Sequence, residues 1–214
     1  MSLKIKIILV DDHAVVRAGF RMLLATSEDI EVIGEASRGE EAIQQFLDLK
    51  PDMVVMDLSM PGIGGLETIY RIIQRDSKAL ILVFSVHQEQ VYVNRALNAG
   101  AKGYITKNSA PEILPEAIAA IMQGERYVEQ GLIKFNSALK SKSDYQTIIG
   151  EFSQREFDVF RMLVQGMTVH KIADELCLGY KTVANYATQI RKKLQVDTLV
   201  ELVHIAENLG IMQC

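Results

Sequence analysis

A chain of 214 residues, 49% hydrophobic and 23% charged, has ordinary globular proportions and room for one large or two small domains. Its formal net charge of −4 excludes a broadly basic nucleic-acid coat, while leaving room for a local reading element. No run approaches the roughly 20 apolar residues that span a bilayer, the N-terminal apolar run is too short for a signal peptide, and Cys177 and Cys214 read as reduced thiols, so no membrane partner and a cytoplasmic location are expected.

In chain order, the first part alternates two patterns. Short β-prone runs at 5–10, 30–36, 53–57, 79–85 and 103–106 alternate with amphipathic stretches at 13–26, 39–49, 64–75, 88–99 and 110–123. Five such units predict an α/β fold, a doubly wound five-stranded parallel sheet over residues 1–124. Ser37-Arg38-Gly39-Glu40 and Ser109-Ala110-Pro111-Glu112 read as capping boxes for the second and fifth helices, and Gly100 as a left-handed cap on the fourth. Residues 125–147, with the polar run Lys140-Ser141-Lys142-Ser143-Asp144, read as a linker with space for a partly ordered helix. Residues 148–214 are helical throughout in pattern, a small all-α four-helix domain. Ser153-Gln154-Arg155-Glu156 opens one helix as a capping box, Gly166 closes it, and Thr168 caps the next. The break Cys177-Leu178-Gly179 precedes a helix at 180–193, and another covers 197–209; short helices about a three-residue turn form a helix-turn-helix.

The chemistry sits where the runs stop. Ile5–Val10 ends at Asp11-Asp12, Met53–Met56 at Asp57, and Tyr104–Thr106 at Lys107. Parallel strands that end in charged residues deliver those side chains to the carboxyl edge of the sheet, where open α/β sheets bind ligands. Three carboxylates gathered there repel one another, and a hard divalent cation such as Mg2+ relieves the repulsion. A lysine beside them completes a site suited to a phosphoryl group.

Val10-Asp11-Asp12-His13, Met56-Asp57-Leu58-Ser59-Met60-Pro61-Gly62, Val83-Phe84-Ser85 and Gly103-Tyr104-Ile105-Thr106-Lys107 resemble the receiver domain of bacterial response regulators. Phe152-Ser153-Gln154-Arg155-Glu156, Gly166-Met167-Thr168, Lys171-Ile172-Ala173 and Lys181-Thr182-Val183 resemble the LuxR-type helix-turn-helix. Together the two cover nearly the whole chain in the order of the NarL/FixJ family. The resemblance implies a flavodoxin-like receiver with Asp57 as phospho-acceptor. Asp12, Asp57 and the carbonyl of Ser59 would ligate Mg2+, and Asp11 would hold a metal-bound water or orient the ion. Lys107 and Ser85 would contact phosphoryl oxygens. Tyr104 is either the inward-turning aromatic of the family's switch or a half-buried surface tyrosine. Asn108 departs from the proline common after the lysine. His87, two residues past Ser85, and Ser59, two past Asp57, would flank the hydrolytic water; His87 either tunes the lifetime of the acyl phosphate or is a solvent-facing loop residue.

In the C-terminal part, Phe157, Phe160, Leu163, Ile172, Leu176, Val183, Ile190 and Leu194 fall at helical spacing and read as core. The exposed face of helix 180–193 offers Lys181, Thr182, Asn185, Tyr186, Thr188 and Gln189 to the major groove. Arg191, Lys192 and Lys193 either hold phosphates or complement the helix macrodipole. Ala184 and Tyr186 stand where the family usually has lysine and histidine, so a binding sequence does not carry over. In the last helix, Leu199, Val200, Val203 and Ile211 divide between core and a dimer contact, with Leu199, Val200 and Val203 the dimer candidates.

The resemblance thus implies a transcription regulator, not an enzyme, that is phosphorylated at Asp57 by a sensor histidine kinase and binds double-stranded DNA at a pseudo-palindromic site as a homodimer. Inhibition of the unphosphorylated form by masking, or by withheld dimerisation, are both open at this point. A Mg2+-dependent phosphohydrolase would usually carry D-x-D on one strand, whereas Asp11-Asp12 are adjacent and Asp57 lies elsewhere. A regulator that ignores phosphorylation would have no use for the intact acidic pocket, and one that uses its helices for protein contacts would not need Asn185 and the basic run.

Overall fold

Ile5–Val10 (β1), Met53–Met56 (β3), Ile81–Ser85 (β4) and Gly103–Thr106 (β5) are buried on both faces almost throughout, as befits central parallel strands. With Ile30–Ala36 (β2) and Tyr127–Val128 (β6) they form one parallel sheet in the order β2-β1-β3-β4-β5-β6. The computed structural model describes residues 4–109, 112–132 and 140–211, and the chain divides into two compact units at about residue 133.

Crossover helices connect the strands: α1 (Ala14–Leu24), α2 (Gly39–Leu49), α3 (Gly64–Arg75), α4 (Gln90–Ala99) and α5 (Ile113–Met122). One sheet face buries Ile7, Leu9, Met53, Val55, Leu82, Phe84 and Ile105 against Leu24, Leu114, Ile118 and Ile121. The alternate strand residues Ile8, Val10, Val54, Met56 and Val83 are equally buried on the opposite side. Burial on both faces explains why these strands read as continuous apolar runs.

The strands and helices lie within a few residues of their expected spans; the differences are local. β6 is a sixth strand where five were expected, and it falls inside the expected linker 125–147. Tyr127 N–H donates to Lys102 O (3.1 Å) and Glu129 N–H to Tyr104 O (3.0 Å), so the strand extends the sheet edge by little more than two residues. The Ser37 box is displaced: Ser37 N–H and Oγ–H both donate to Glu41 Oε2 (2.9 and 3.1 Å), not to Glu40. The Ser109 box is replaced: α5 carries no side-chain cap, and the Ser109 hydroxyl is engaged elsewhere. Ala110 and Pro111 of that box lie outside the described residues, as does Cys214. Gly100 adopts the left-handed conformation expected of it (φ 113°).

The second unit is helical: α6 (Lys140–Gly150), α7 (Gln154–Val164), α8 (Val169–Glu175), α9 (Tyr180–Leu194) and α10 (Leu199–Asn208). α6 begins inside the expected linker. Ser153 and Glu156 form the expected capping box, Thr168 accepts from Lys171 N–H, and Thr198 with Glu201 makes a second box, one residue beyond the start expected for the last helix. Phe157, Phe160, Leu163, Ile172, Val183, Ile190 and Leu194 are buried as expected, and Leu176 is half-buried. Between α8 and α9, Cys177 takes a left-handed φ of 52° and permits the tight turn of the helix-turn-helix.

Candidate functional site

The carboxyl ends of β1, β3, β4 and β5 bring Asp11, Asp57, Ser85 and Lys107 to one edge of the sheet. Asp57 is held at its backbone by its N–H to Val10 O (2.8 Å), and Lys107 by its N–H to Ser85 O (2.8 Å). Gly65, in the first turn of α3, lies so close behind Asp57 that a Cβ there would sit 2.2 Å from Asp57 O. This close approach requires a residue without a side chain.

Lys107 Nζ is 2.7 Å from Asp57 Oδ2 and 2.5 Å from Asp11 Oδ2, so one ammonium bridges two carboxylates and leaves the group with net negative charge. The other Asp57 oxygen, Oδ1, accepts from Leu58 N–H (2.6 Å). Burial pushes the Asp57 carboxyl above its usual range; Lys107 opposes the shift and the Asp11 charge adds to it. Burial also acts against the Lys107 charge, but its hydrogen bonds to Asp11 and Asp57 prevail and hold it above the ordinary lysine value. A charged Asp57 carboxylate is therefore kept at a cost that further positive charge at the edge would relieve.

Ligand atoms of Asp11, Asp12, His13 and Asp57 all lie within 4.8 Å of one another. Carboxylate oxygens are the donors a hard cation takes, and an Mg2+ bound by one or two carboxylates keeps several waters. The acidic pocket thus fits the expected ion. His13 Nδ1 is 2.9 Å from Asp12 Oδ1 and 3.2 Å from Asp11 Oδ1, a neighbour assigned no role from the sequence although it adjoins the acidic pair. Arg17, also unassigned, donates from Nη1 to Asp11 O (2.5 Å) and from Nε to Glu35 Oε2 (3.2 Å), tying α1 to the tip of β1.

Ser85 and Tyr104 are fully buried. Tyr104 is not a half-buried surface residue: its hydroxyl donates to His87 O (2.8 Å). His87 is not a free loop histidine either, since Nε2 lies 2.9 Å from Ser59 Oγ and the ring stacks on Tyr92 at 3.9 Å. The two residues expected to flank a hydrolytic water are thus joined across the pocket.

In α9, Lys181, Asn185, Thr188 and Lys192 follow one another on the exposed face, with Thr182 and Gln189 beside them. Tyr186 and Arg191 are half-buried. Lys193 is exposed but engaged: Nζ is 2.6 Å from Glu156 Oε1 and 5.5 Å above the Phe152 ring. In α10, Leu199 and Val200 are exposed and Val203 half-buried, while Leu202 and Ile205, with Ile211 just beyond the helix, fill the core.

Residues 7–119 match the family model of the response regulator receiver domain, and residues 151–206 that of the bacterial regulatory proteins of the luxR family. The transcriptional activator protein ExaE of Pseudomonas putida is 39% identical over 209 residues, 97% of this chain and 98% of its own length. Response regulator GacA of Pseudomonas aeruginosa is 36% identical over 210 residues (97% and 98%), and response regulator UvrY of Escherichia coli 35% over 208 (97% and 95%). Among solved structures, the Salmonella typhimurium RcsB response regulator aligns over 97% of this chain and 98% of its own at 25% identity, with a TM-score of 0.70. A two-component response regulator of the LuxR family from Aurantimonas, 42% identical, covers 60% of this chain and 92% of its own with a TM-score of 0.59. Receiver edge, helix-turn-helix and relatives agree: the chain belongs to the NarL/FixJ family of response regulators, transcription regulators that join a receiver to a LuxR-type DNA-binding domain.

Proposed function

We propose that Asp57 accepts a phosphoryl group from the phosphohistidine of a sensor kinase, and that this switches sequence-specific DNA binding by α9. The observation that carries the reading is the buried Asp57 carboxylate held between Leu58 N–H and the Lys107 ammonium at the sheet edge. One Asp57 oxygen attacks phosphorus, the P–N bond breaks, and the imidazole departs. Phosphoryl transfer asks for positioning and charge neutralisation; the strand-end placement of Asp57 supports the first, and Lys107 would supply part of the second. Asp11, Asp12, Asp57 and the Ser59 carbonyl would hold Mg2+, which when bound supplies further screening of the incoming charge. Lys107 then transfers its contact from carboxylate to phosphoryl oxygen, and the Ser85 hydroxyl binds another. Tyr104, paired with Val83 on the strand that carries Ser85 and tied to His87 O, would report the change to α4, β5 and α5.

Lys181, Thr182, Asn185, Tyr186, Thr188 and Gln189 would read base edges, with Arg191 and Lys192 at the phosphates. RcsB of Salmonella enterica has been solved on promoter DNA in the presence of the phosphomimetic BeF3− (TM-score 0.66, 25% identity), a complex consistent with this use of the fold. Two subunits meeting through Leu199, Val200 and Val203 would read a pseudo-palindromic site. A location in the cytoplasm agrees with such a role; among the described residues no helix is long and apolar enough to cross a membrane.

The test is intact mass after incubation with acetyl phosphate and Mg2+, beside Asp57→Asn. A single Mg2+-dependent phosphoryl adduct, absent from the variant and raising affinity for DNA fragments selected from random sequence, is the expected result. An adduct that persists in Asp57→Asn, or none at all, would overturn the reading.

A further inference from the structure

The loop that carries Lys107 is fastened by a carboxylate from outside the pocket. Glu129 follows β6 directly, and its backbone N–H donates to Tyr104 O (3.0 Å). Its side chain turns back along β5: Oε2 accepts from Thr106 N–H (2.8 Å) and lies 2.6 Å from Ser109 Oγ. Ser109 Oγ is also 2.7 Å from Thr106 O and 3.0 Å from Thr106 Oγ1, which closes a small ring of polar groups around the base of the loop. One carboxylate oxygen thus ties residue 106 on one side of Lys107 and residue 109 on the other.

This fastening answers two departures in the sequence. Asn108 follows Lys107 where a proline ring would otherwise fix φ and stiffen the loop. Ser109, positioned by pattern to cap α5, spends its hydroxyl on this ring instead. Hydrogen bonds to a charged acceptor are shorter and stronger than neutral ones, and these are short. A lysine side chain carries several rotatable bonds, so a fixed backbone narrows the range its ammonium must search to reach a partner.

We propose that Glu129 is a positioning residue for Lys107, holding the 106–109 loop so that the ammonium meets the acceptor carboxylate and, later, the phosphoryl oxygen. The proposal rests on the reading of Asp57 and Lys107 as the phosphoryl site. Glu129 touches neither the acceptor nor the phosphoryl group; it acts through the loop backbone.

The experiment is a double-mutant cycle in the full chain, reading beryllofluoride affinity with Mg2+ and the rate of phosphorylation by acetyl phosphate. Glu129→Ala is expected to weaken both by roughly tenfold, the scale on which outer partners and small misplacements act. Glu129→Gln keeps an acceptor oxygen for Thr106 N–H and Ser109 Oγ–H, and should recover most of the loss. In a Lys107→Ala background, Glu129→Ala should cost nothing further. An equal loss with and without Lys107, or no loss at all, would overturn the proposal. If Glu129→Ala does not fold by urea titration, Ser109→Ala, which removes one of the two donors to the carboxylate, enters the same cycle and is judged by the same outcomes. Failure of the underlying reading shows separately: Lys107→Ala alone would then leave beryllofluoride affinity unchanged, and the proposal would fall with it.

Discussion

Replacing Lys193 by Met should destabilise the DNA-binding domain and leave its electrostatic grip on DNA intact, although the residue lies in the basic run Arg191-Lys192-Lys193. The Glu156 side chain is 7% exposed and that of Lys193 44%, so their 2.6 Å pair is half desolvated. Exposed pairs contribute about 0.2–1 kcal/mol and buried hydrogen bonds to charged groups about 1.5–3, which places this one near 1 kcal/mol after discounting for solvent. The Phe152 ring, 5.5 Å from the ammonium, adds about 0.5 kcal/mol at such a site. Met keeps the apolar stem, so Lys193→Met should lower the free energy of unfolding by about 1.5 kcal/mol in urea titration. Lys192, exposed on the same helix, should behave in the opposite way: Lys192→Met changes stability by less than about 0.5 kcal/mol. Its effect appears in the dependence of log K on log salt, whose slope should fall by about 1 per bound subunit, while Lys193→Met leaves the slope unchanged. A Lys193→Met protein of wild-type stability with a reduced slope would refute the argument and return Lys193 to the phosphates.

Three further outcomes follow from the same geometry. Burial alone would raise the Glu156 pKa, but the bonds from Lys193 and Ser153 prevail and lower it below its usual 4.5; its contribution is then fully present above that value and lost as pH falls through the lower folded pKa. Glu156→Gln should flatten the acid limb of stability against pH in that window, and an unchanged limb would contradict the assignment. Gly65→Ala places a Cβ 2.2 Å from Asp57 O and 2.6 Å from Leu58 Cα, both backbone, so it should cost about 1–3 kcal/mol and slow phosphorylation by acetyl phosphate; wild-type values of both would show that the loop yields freely. His87→Ala removes the imidazole that reaches Ser59 Oγ and should alter the half-life of the phosphorylated protein, read by loss of the mass adduct; an unchanged half-life would leave His87 without a role at the pocket.

The parts of the molecule legible in the sequence are those whose signal is local. Each central strand is buried on both faces, so it reads as an apolar run, and its terminal charged residue marks the sheet edge without any knowledge of its neighbours. Asp11, Asp57 and Lys107 are legible in this way. β6 is not, because two residues with half-buried side chains carry no periodicity and owe their place to pairing with β5. The Ser37 box was displaced by one residue because Glu40 and Glu41 are adjacent, and a pattern alone does not say which one folds back. Thr198 and Glu201 have the same three-residue spacing as Ser153 and Glu156, and they form the same kind of box.

Glu129 and Lys193 belong to a different class, and they show why composition of a stretch is a poor guide to the work of a residue in it. Glu129 lies in what reads as a linker, yet the register of β6 on β5 places its carboxylate at Thr106 and Ser109. Lys193 lies in a run that reads as a phosphate clamp, yet packing of α7 on α9 brings it a carboxylate and an aromatic ring. In each case the partner is remote in the chain and arrives only with the fold, so neither role has a local signature. The same holds for the proposed acceptor: Asp57 is a strand-end carboxylate until β5 delivers Lys107 to within 2.7 Å, and on the reading proposed above this delivery, supported by Glu129, is what would distinguish a phosphoryl site from a solvated turn.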